Sequence, residues 1–251
     1  MKISIYFKET AYRVNLSEGL DISIALKDGF DNPNCFYAPV PVFEPVRAGN
    51  FVGATSEGGS VNFKNVRFNP HGNGTHTECV GHIAQERVML NDVMKSFHFM
   101  AKLVTIYPTL LENGDRVILK HQIEEALSPS DSVSALVLRT MPNDILKTKT
   151  NYSNANPPYV EEAAMQYIVA CGIEHFLTDL PSVDREEDGG ALLGHKAFWQ
   201  YPNDTRLGAT ISEMVYVPNE ICDAYYFLNI QIASFDLDVS PSKPVLYALK
   251  S

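Results

Sequence analysis

The chain has 251 residues, of which 45% are hydrophobic and 20% are charged, with 15 glycines and 15 prolines. This mixture is typical of a globular protein and excludes a disordered chain, a collagen-like fibre and a disulfide scaffold. The formal net charge is −10, and an acidic surface repels phosphate backbones. We therefore expect no nucleic-acid partner.

Residues 1–9 carry an acid and lack the apolar core of a signal peptide. The most apolar stretch, residues 97–111, is interrupted by Lys102 and Pro108 and is too short to span a bilayer. The four cysteines are scattered and form no CxxC pair, which is typical of reduced thiols. We expect a cytoplasmic protein with no membrane partner.

In the first half of the chain, the alternation of apolar and polar residues over 2–15 predicts a β-hairpin. Residues 29–59, rich in proline, glycine and aromatic residues, predict either a functional loop or a plain surface connection. A strand is predicted at 61–68. Apolar and β-branched runs predict buried strands at 102–107 and 134–138, with a short helix over 123–127 between them.

In the second half, helical spacing over 161–171 ends at Gly172, a good helix terminator. A second helix is predicted over 191–199, opened by the acidic run 186–188. Further strands are predicted at 175–177, 209–217, 227–233 and 245–249. Because strands outnumber helices, the pattern predicts an α/β fold, with a mixed β-sheet and flanking helices in one domain over residues 1–251.

Three of the seven histidines, His71, His76 and His82, fall within twelve residues, in a segment that contains Gly72, Gly74 and Gly81. His76 and Glu78 are two residues apart, so on an extended chain both side chains point the same way. Imidazole and carboxylate together suit Zn, Mn or Fe. His82 fits either a further ligand or a base beside the metal.

Two other interpretations of this segment compete with the metal site. The histidines can cap turns and bond to loop carbonyls, and Cys79, flanked by His76 and His82, can act as a nucleophile. Further along the chain, Glu213 is a carboxylate in an apolar run, which favours a paired or metal-bound side chain.

The segment Gly74-Thr75-His76-x-Glu78-x-x-x-His82 resembles the His-x-Gly-Thr-His-x-Asp-x-Pro-x-His signature of the cyclase family of metal-dependent hydrolases. That family includes kynurenine formamidases and isatin hydrolases. Residues 180–184, Leu-Pro-Ser-Val-Asp, are similar to the family's Pro-Ser-x-Asp stretch. The resemblance implies the swivelling β/β/α fold of that family.

The resemblance also implies the residues of the site. The metal ligands that it implies are His71, His76, Glu78, His195 and Glu213. It implies His82 as the general acid/base. The family's first histidine aligns with Gly72, so His71 stands one residue out of register.

Other positions depart from the family pattern as well. Glu78 replaces an aspartate, and Val80 replaces a proline. The spacing between the downstream histidine and glutamate is longer than usual, through residues 201–204.

The function implied is hydrolysis of a small amide, formamide, cyclic ester or lactam, as by kynurenine formamidase. The cofactor implied is one or two divalent ions, zinc first and manganese second. The aromatic residues of the 29–59 loop are expected to form substrate walls; they are Phe30, Phe36, Tyr37, Phe43 and Phe51. By analogy with the family we expect a homodimer or a higher homo-oligomer. The alternative is a catalytically weakened member that binds a metal or a small ligand.

Overall fold

The computed structural model describes residues 1–250, and a mixed β-sheet lies at its centre. The strands are β1 (Lys2–Phe7), β2 (Thr10–Asn15), β3 (Leu20–Asp21), β4 (Val42–Pro45), β5 (Arg47–Ala48), β6 (Phe51–Val52), β7 (Lys64–Arg67), β8 (His76–Cys79), β9 (His98–Ile106), β10 (Thr109–Leu110), β11 (Arg116–Ile118), β12 (Ala135–Thr140), β13 (Tyr159–Val160), β14 (His175–Thr178), β15 (Thr210–Glu213), β16 (Tyr225–Ile232) and β17 (Val239–Ala248). The helices are α1 (Leu90–Val93), α2 (Lys120–Ala126), α3 (Glu162–Ala170) and α4 (Leu193–Trp199).

The central sheet has the strand order β16-β9-β12-β14-β15-β8-β17-β3, and an additional β16–β17 pairing closes seven of these strands into a ring. The strands β9, β12, β14 and β15 pair in parallel. The other pairings of the ring are antiparallel. The predicted α/β fold with a mixed sheet is therefore confirmed.

Alternate residues of the strands face two different cores. Ala135 and Val137 of β12 point into the ring, where they pack with residues such as Leu228 and Leu246. Leu136 and Leu138 point outward, into the core that the helices cover. Burial on both faces explains why β12 reads as a continuous apolar run and not as an alternating one.

Most predicted elements are present, with shifted ends. The hairpin of residues 2–15 is β1 and β2, and the two longer predicted helices are α3 and α4. The strand predicted at 209–217 ends at Glu213, because Met214 adopts a left-handed φ of 52°. The strand predicted at 61–68 is β7, an exposed partner of β4 outside the ring.

Within residues 1–250, no helix is long and apolar enough to cross a membrane. The four cysteines are free thiols, and three of them are buried.

Candidate metal centre

Strand β8 divides its side chains between the two faces of the ring. Thr77 lies inside, where its hydroxyl is 2.6 Å from that of Ser212. His76 and Glu78 therefore lie on the outer face, both fully buried. The antiparallel register places Glu213 of β15 opposite His76, and His76 Nε2 lies 3.4 Å from Glu213 Oε2.

Helix α4 adds His195 above this face. His195 Nε2 lies 3.2 Å from Glu78 Oε1 and 3.9 Å from Glu213 Oε1. Asp184 fixes the ring, because its carboxylate accepts a 2.6 Å hydrogen bond from His195 Nδ1. The same carboxylate accepts bonds from the backbone N–H groups of Gly194 and His195 at the start of the helix. Asp184 thus caps α4 and orients its histidine.

Two further histidines complete the cluster from the loop before β8 and the 3₁₀ turn after it. His71 Nδ1 lies 3.0 Å from Glu78 Oε2, and its Nε2 bonds to Asp238 Oδ2 at 3.1 Å. His82 Nδ1 lies 3.8 Å from both Glu78 Oε2 and Asp238 Oδ2. The structure therefore brings together the six residues predicted from the sequence, and adds Asp238.

The out-of-register position of His71 has a structural reason. A Cβ atom at Gly72 would lie 2.3 Å from the Ala38 Cβ and 3.2 Å from the Cys35 carbonyl oxygen. No histidine fits at position 72 without displacing that loop, whereas His71 reaches Glu78 directly. The loop of residues 35–38 thus occupies the space beside position 72, and the imidazole comes from one residue earlier.

Three imidazoles of the cluster share one pattern of hydrogen bonding. His76 donates from Nδ1 to the Gly74 carbonyl oxygen at 2.9 Å. His71 and His195 each direct one nitrogen to a carboxylate, that of Asp238 and that of Asp184. The second nitrogen of each ring faces Glu78 or Glu213. This is the arrangement of histidines that ligate metals, in which an oxygen acceptor fixes the tautomer.

The buried polar atoms at the centre have no hydrogen-bond partners. They are His76 Nε2, His195 Nε2 and both carboxylate oxygens of Glu78. A buried carboxylate without donors is costly unless a cation compensates it. Two ligands bound at metal–ligand distances of about 2.1 Å with a tetrahedral angle lie roughly 3.4 Å apart. The separations of 3.0, 3.2 and 3.4 Å within the three facing pairs are each close to this value, and the candidate ligand groups His71–His76–Glu78 and Glu78–His82–His195 share Glu78.

Contacts with carboxylates raise the pKa values of two histidines in this region. Burial alone would lower the pKa of His195, but its contacts with Asp184 and Glu78 raise that pKa to about 10. Burial likewise opposes the contacts of His71 with Asp238 and Glu78, which raise its pKa to about 9. A divalent cation can take the place of these two protons, because metal ligands must be deprotonated.

His82 differs from these two histidines. Desolvation lowers the pKa of His82 below its ordinary value, although the Glu78 carboxylate opposes the shift. Its side chain is 31% exposed. A neutral imidazole in contact with solvent, beside the buried cluster, is suited to accept and return a proton.

A cavity of about 210 Å³ opens onto the cluster and is lined by Glu78, His82, His195 and Glu213. Of the five aromatic residues predicted to wall the substrate site, Phe36 alone lines it. Phe30 and Tyr37 line a different pocket, and Phe43 and Phe51 belong to the hairpins outside the ring. The prediction was wrong for these four residues because most of the 29–59 loop folds away from the cluster.

The interpretation of Cys79 as a nucleophile is also wrong. Cys79 is fully buried and packs in the core inside the ring, on the face of β8 opposite to His76 and Glu78. Burial raises the pKa of its thiol to about 11, and Sγ lies 3.6 Å from the Val88 carbonyl oxygen. The thiol is therefore neither ionised at neutral pH nor directed at the site.

Sequence reasoning missed Asp238, which lies in the loop before β17. The sequence gives little indication of its role, because it is a single aspartate far along the chain from the histidine motif and has no regular spacing relative to it. The pairing of β17 with β8, in which Val239 lies opposite Glu78, brings this aspartate to the histidines.

Residues 20–185 match the family described as "Putative cyclase", and the chain belongs to this cyclase family. No curated protein sequence matches the chain.

Solved structures share the fold at low sequence identity. A predicted metal-dependent hydrolase from Bacillus stearothermophilus superposes with a TM-score of 0.62 at 16% identity, over 92% of this chain and 98% of that one. Isatin hydrolase A from Ralstonia solanacearum gives a TM-score of 0.68 at 11% identity, over 92% of each chain. An isatin hydrolase bound to the product analogue thioisatinate gives 0.64 at 12% identity, over 93% of each chain.

Proposed function

We propose that this protein is a metal-dependent hydrolase that cleaves the C–N bond of a small amide. The observation that carries the proposal is the buried set of unpartnered nitrogen and carboxylate atoms around Glu78. Their spacing and their supporting hydrogen bonds suit a divalent cation better than any arrangement of protein donors. Membership of the cyclase family supports the same chemistry.

The proposed ligands are His71, His76, Glu78, His195 and Glu213. Glu78 lies between the histidines, with one oxygen 3.0 Å from His71 Nδ1 and the other 3.2 Å from His195 Nε2, so one or two ions fit its carboxylate once these nitrogens are deprotonated. Nitrogen and carboxylate donors suit zinc first and manganese second.

A divalent ion supplies Lewis acidity, which lowers the pKa of water and polarises a carbonyl. His82 is proposed to accept the proton of the attacking water and to return it to the leaving nitrogen as the C–N bond breaks. The lowered pKa of His82 keeps it in the basic form needed for the first transfer. Asp184 holds His195 in place while this happens.

The cavity limits the substrate. A volume of about 210 Å³ lies below the range of about 300–1,000 Å³ found for drug-sized ligands. Phe36 offers one aromatic wall. We propose an aryl formamide or a small cyclic amide as the substrate, with N-formylkynurenine and isatin as the first two to test.

The test uses the metal content of the purified protein and its hydrolysis of both compounds before and after chelation. The proposal predicts bound zinc or manganese and a hydrolysis rate that chelation abolishes and metal restores. His76→Ala should lose the metal, whereas His82→Ala should keep it and lose at least a hundredfold in kcat. His121→Ala, on the exposed side of α2, is the matched control.

A protein that binds metal but hydrolyses neither compound would fit a ligand-binding member of the family instead. A protein without metal, or with activity unchanged in both site variants, would contradict the proposal.

We also propose that the chain forms a homodimer or a higher homo-oligomer. The exposed strand β7, which pairs with β4, and the segment that leads into it expose Val61, Phe63 and Val66. Exposed apolar side chains grouped in this way are typical of an interface. Light scattering of the purified protein tests the expected mass.

A further inference from the structure

The mouth of the cavity carries two carboxylates that the metal centre does not use. Glu186 and Asp188 line the same cavity as His82 and His195. Glu186 Oε1 accepts a hydrogen bond from the Asn154 backbone N–H. Asp188 accepts hydrogen bonds from the backbone N–H groups that precede α4. Within residues 1–250, neither side chain forms a salt bridge with a lysine, an arginine or a histidine.

The one arginine that lines the cavity does not offset this charge. Arg185 directs Nε and one terminal nitrogen to Asp115, at 3.0 and 3.3 Å. Its other terminal nitrogen donates to the Glu187 carbonyl oxygen. The guanidinium is thus committed to a carboxylate outside the cavity, and the Asp115–Arg185 pair is neutral as a unit.

The atoms at the base of the cavity show that a ligand belongs there. Both oxygens of Glu78 and the Nε2 atom of His195 are buried and unpartnered, and both residues line the cavity. A ligand in this cavity therefore shares it with the carboxylates of Glu186 and Asp188. In a narrow cleft with low-dielectric walls, uncompensated carboxylates repel anions and attract cations.

We infer that the site selects amides by net charge: it favours substrates with a net positive charge, accepts neutral and zwitterionic ones, and discriminates against substrates with a net negative charge. This inference rests on the proposed function. The same field acts on the products, because hydrolysis of an amide adds water across the C–N bond and yields a carboxylate and an amine. The carboxylate product is then repelled from the mouth, which favours its release.

Three para-substituted formanilides of similar size test the inference in the holoenzyme. They are 4-(aminomethyl)formanilide, formanilide and 4-formamidobenzoate, which are cationic, neutral and anionic at pH 7.5. We expect kcat/KM to fall in that order, by about fivefold for each unit of charge. The differences should shrink in 0.5 M NaCl, because salt screens charges at the mouth.

Glu186→Gln is the decisive variant, since the amide oxygen still accepts the hydrogen bond from Asn154. It should reduce the ratio of kcat/KM between the cationic and anionic compounds by about fivefold. Glu187→Gln is the matched control, because its exposed side chain does not line the cavity. It should leave the ratio unchanged.

Binding of the same three compounds, measured by calorimetry, separates this inference from the proposed function. If none is hydrolysed but affinity follows the charge order and responds to Glu186→Gln, the reaction class is wrong and the charge selection stands. Equal kcat/KM or equal affinity across the series overturns the inference, as does a ratio that Glu186→Gln leaves unchanged.

Discussion

At the scale of single residues, the site depends on the oxygen atoms behind its histidines. His71, His76 and His195 each use one nitrogen to bond to a fixed acceptor, and this leaves the other nitrogen for the centre. The motif groups His71, His76 and His82 by spacing, whereas His195 follows from the family resemblance alone. It does not reveal Asp238, because a supporting carboxylate can come from any segment that the fold brings near.

Asp238→Asn should weaken metal binding. The carboxamide keeps an oxygen for His71 Nε2 but loses the charge that makes this imidazole a stronger ligand. Loss of such a supporting partner costs about 10- to 100-fold in metal affinity. Competition with a chromogenic chelator measures the change. Asp236→Asn, whose side chain is 77% exposed, is the control, and equal affinity in both variants would contradict a supporting role for Asp238.

Gly194→Ala should disturb the support of His195. An added Cβ would lie 2.8 Å from Asp184 Oδ1, so the carboxylate must shift away from the imidazole it holds. Alanine normally stabilises a helix relative to glycine by about 1 kcal/mol. Here we expect metal affinity to fall by about tenfold. This is the smaller end of the loss found when a residue that supports a metal ligand is disturbed. Gly208→Ala is the control, since nothing lies within 4 Å of its Cβ; parallel behaviour of the two variants would refute the argument.

At the scale of elements, the buried strands are the part that the sequence predicts best. The runs at 102–107 and 134–138 predict β9 and β12 because both faces of these strands are apolar. Strand ends are predicted less well, since they depend on local backbone conformation such as the left-handed Met214. The pairing of β17 with β8 joins remote segments, so its register is set by packing that spacing does not encode.

Strand β14 carries a titratable histidine away from the metal centre, and it bonds to a threonine of β15. His175 Nδ1 lies 2.9 Å from Thr210 Oγ1. Burial, with a smaller effect of Arg206, lowers the pKa of His175 to about 4. The unfolded chain, with an ordinary histidine pKa near 6.5, therefore binds more protons between these values. The stability that the neutral ring contributes is complete above pH 6.5 and is lost as the pH falls towards 4.

His175→Gln should remove this pH dependence while keeping a hydrogen-bonding group for Thr210. Urea unfolding at pH 7 and pH 4.5 measures the free energy of unfolding. The wild-type protein should lose on the order of 3 kcal/mol more than the variant between these values. His121→Gln should behave like the wild type, and an identical loss in all three proteins would show that His175 does not titrate in this way.

At the scale of the whole molecule, the proposed ligands come from four separate segments. They are the loop before β8, β8 itself, α4 and β15. The folding of the strands into the ring brings these segments together. Their side chains form a buried set of carboxylates and imidazoles. Because an unfolded chain holds no preformed site, a cation bound there favours the folded state by its own binding free energy.

Removal of the metal should therefore lower the thermal midpoint. At a free metal concentration about 1,000 times Kd, binding stabilises the fold by about 4 kcal/mol. For a chain of this size, this corresponds to a shift of roughly 8–16 °C. Scanning calorimetry with and without chelator measures it, and added zinc or manganese should restore the midpoint. Glu213→Gln removes one carboxylate from the centre and should reduce the shift, whereas His121→Gln should retain it. If protein shown to contain metal kept the same thermal midpoint after chelation, the ion would lie outside this cluster.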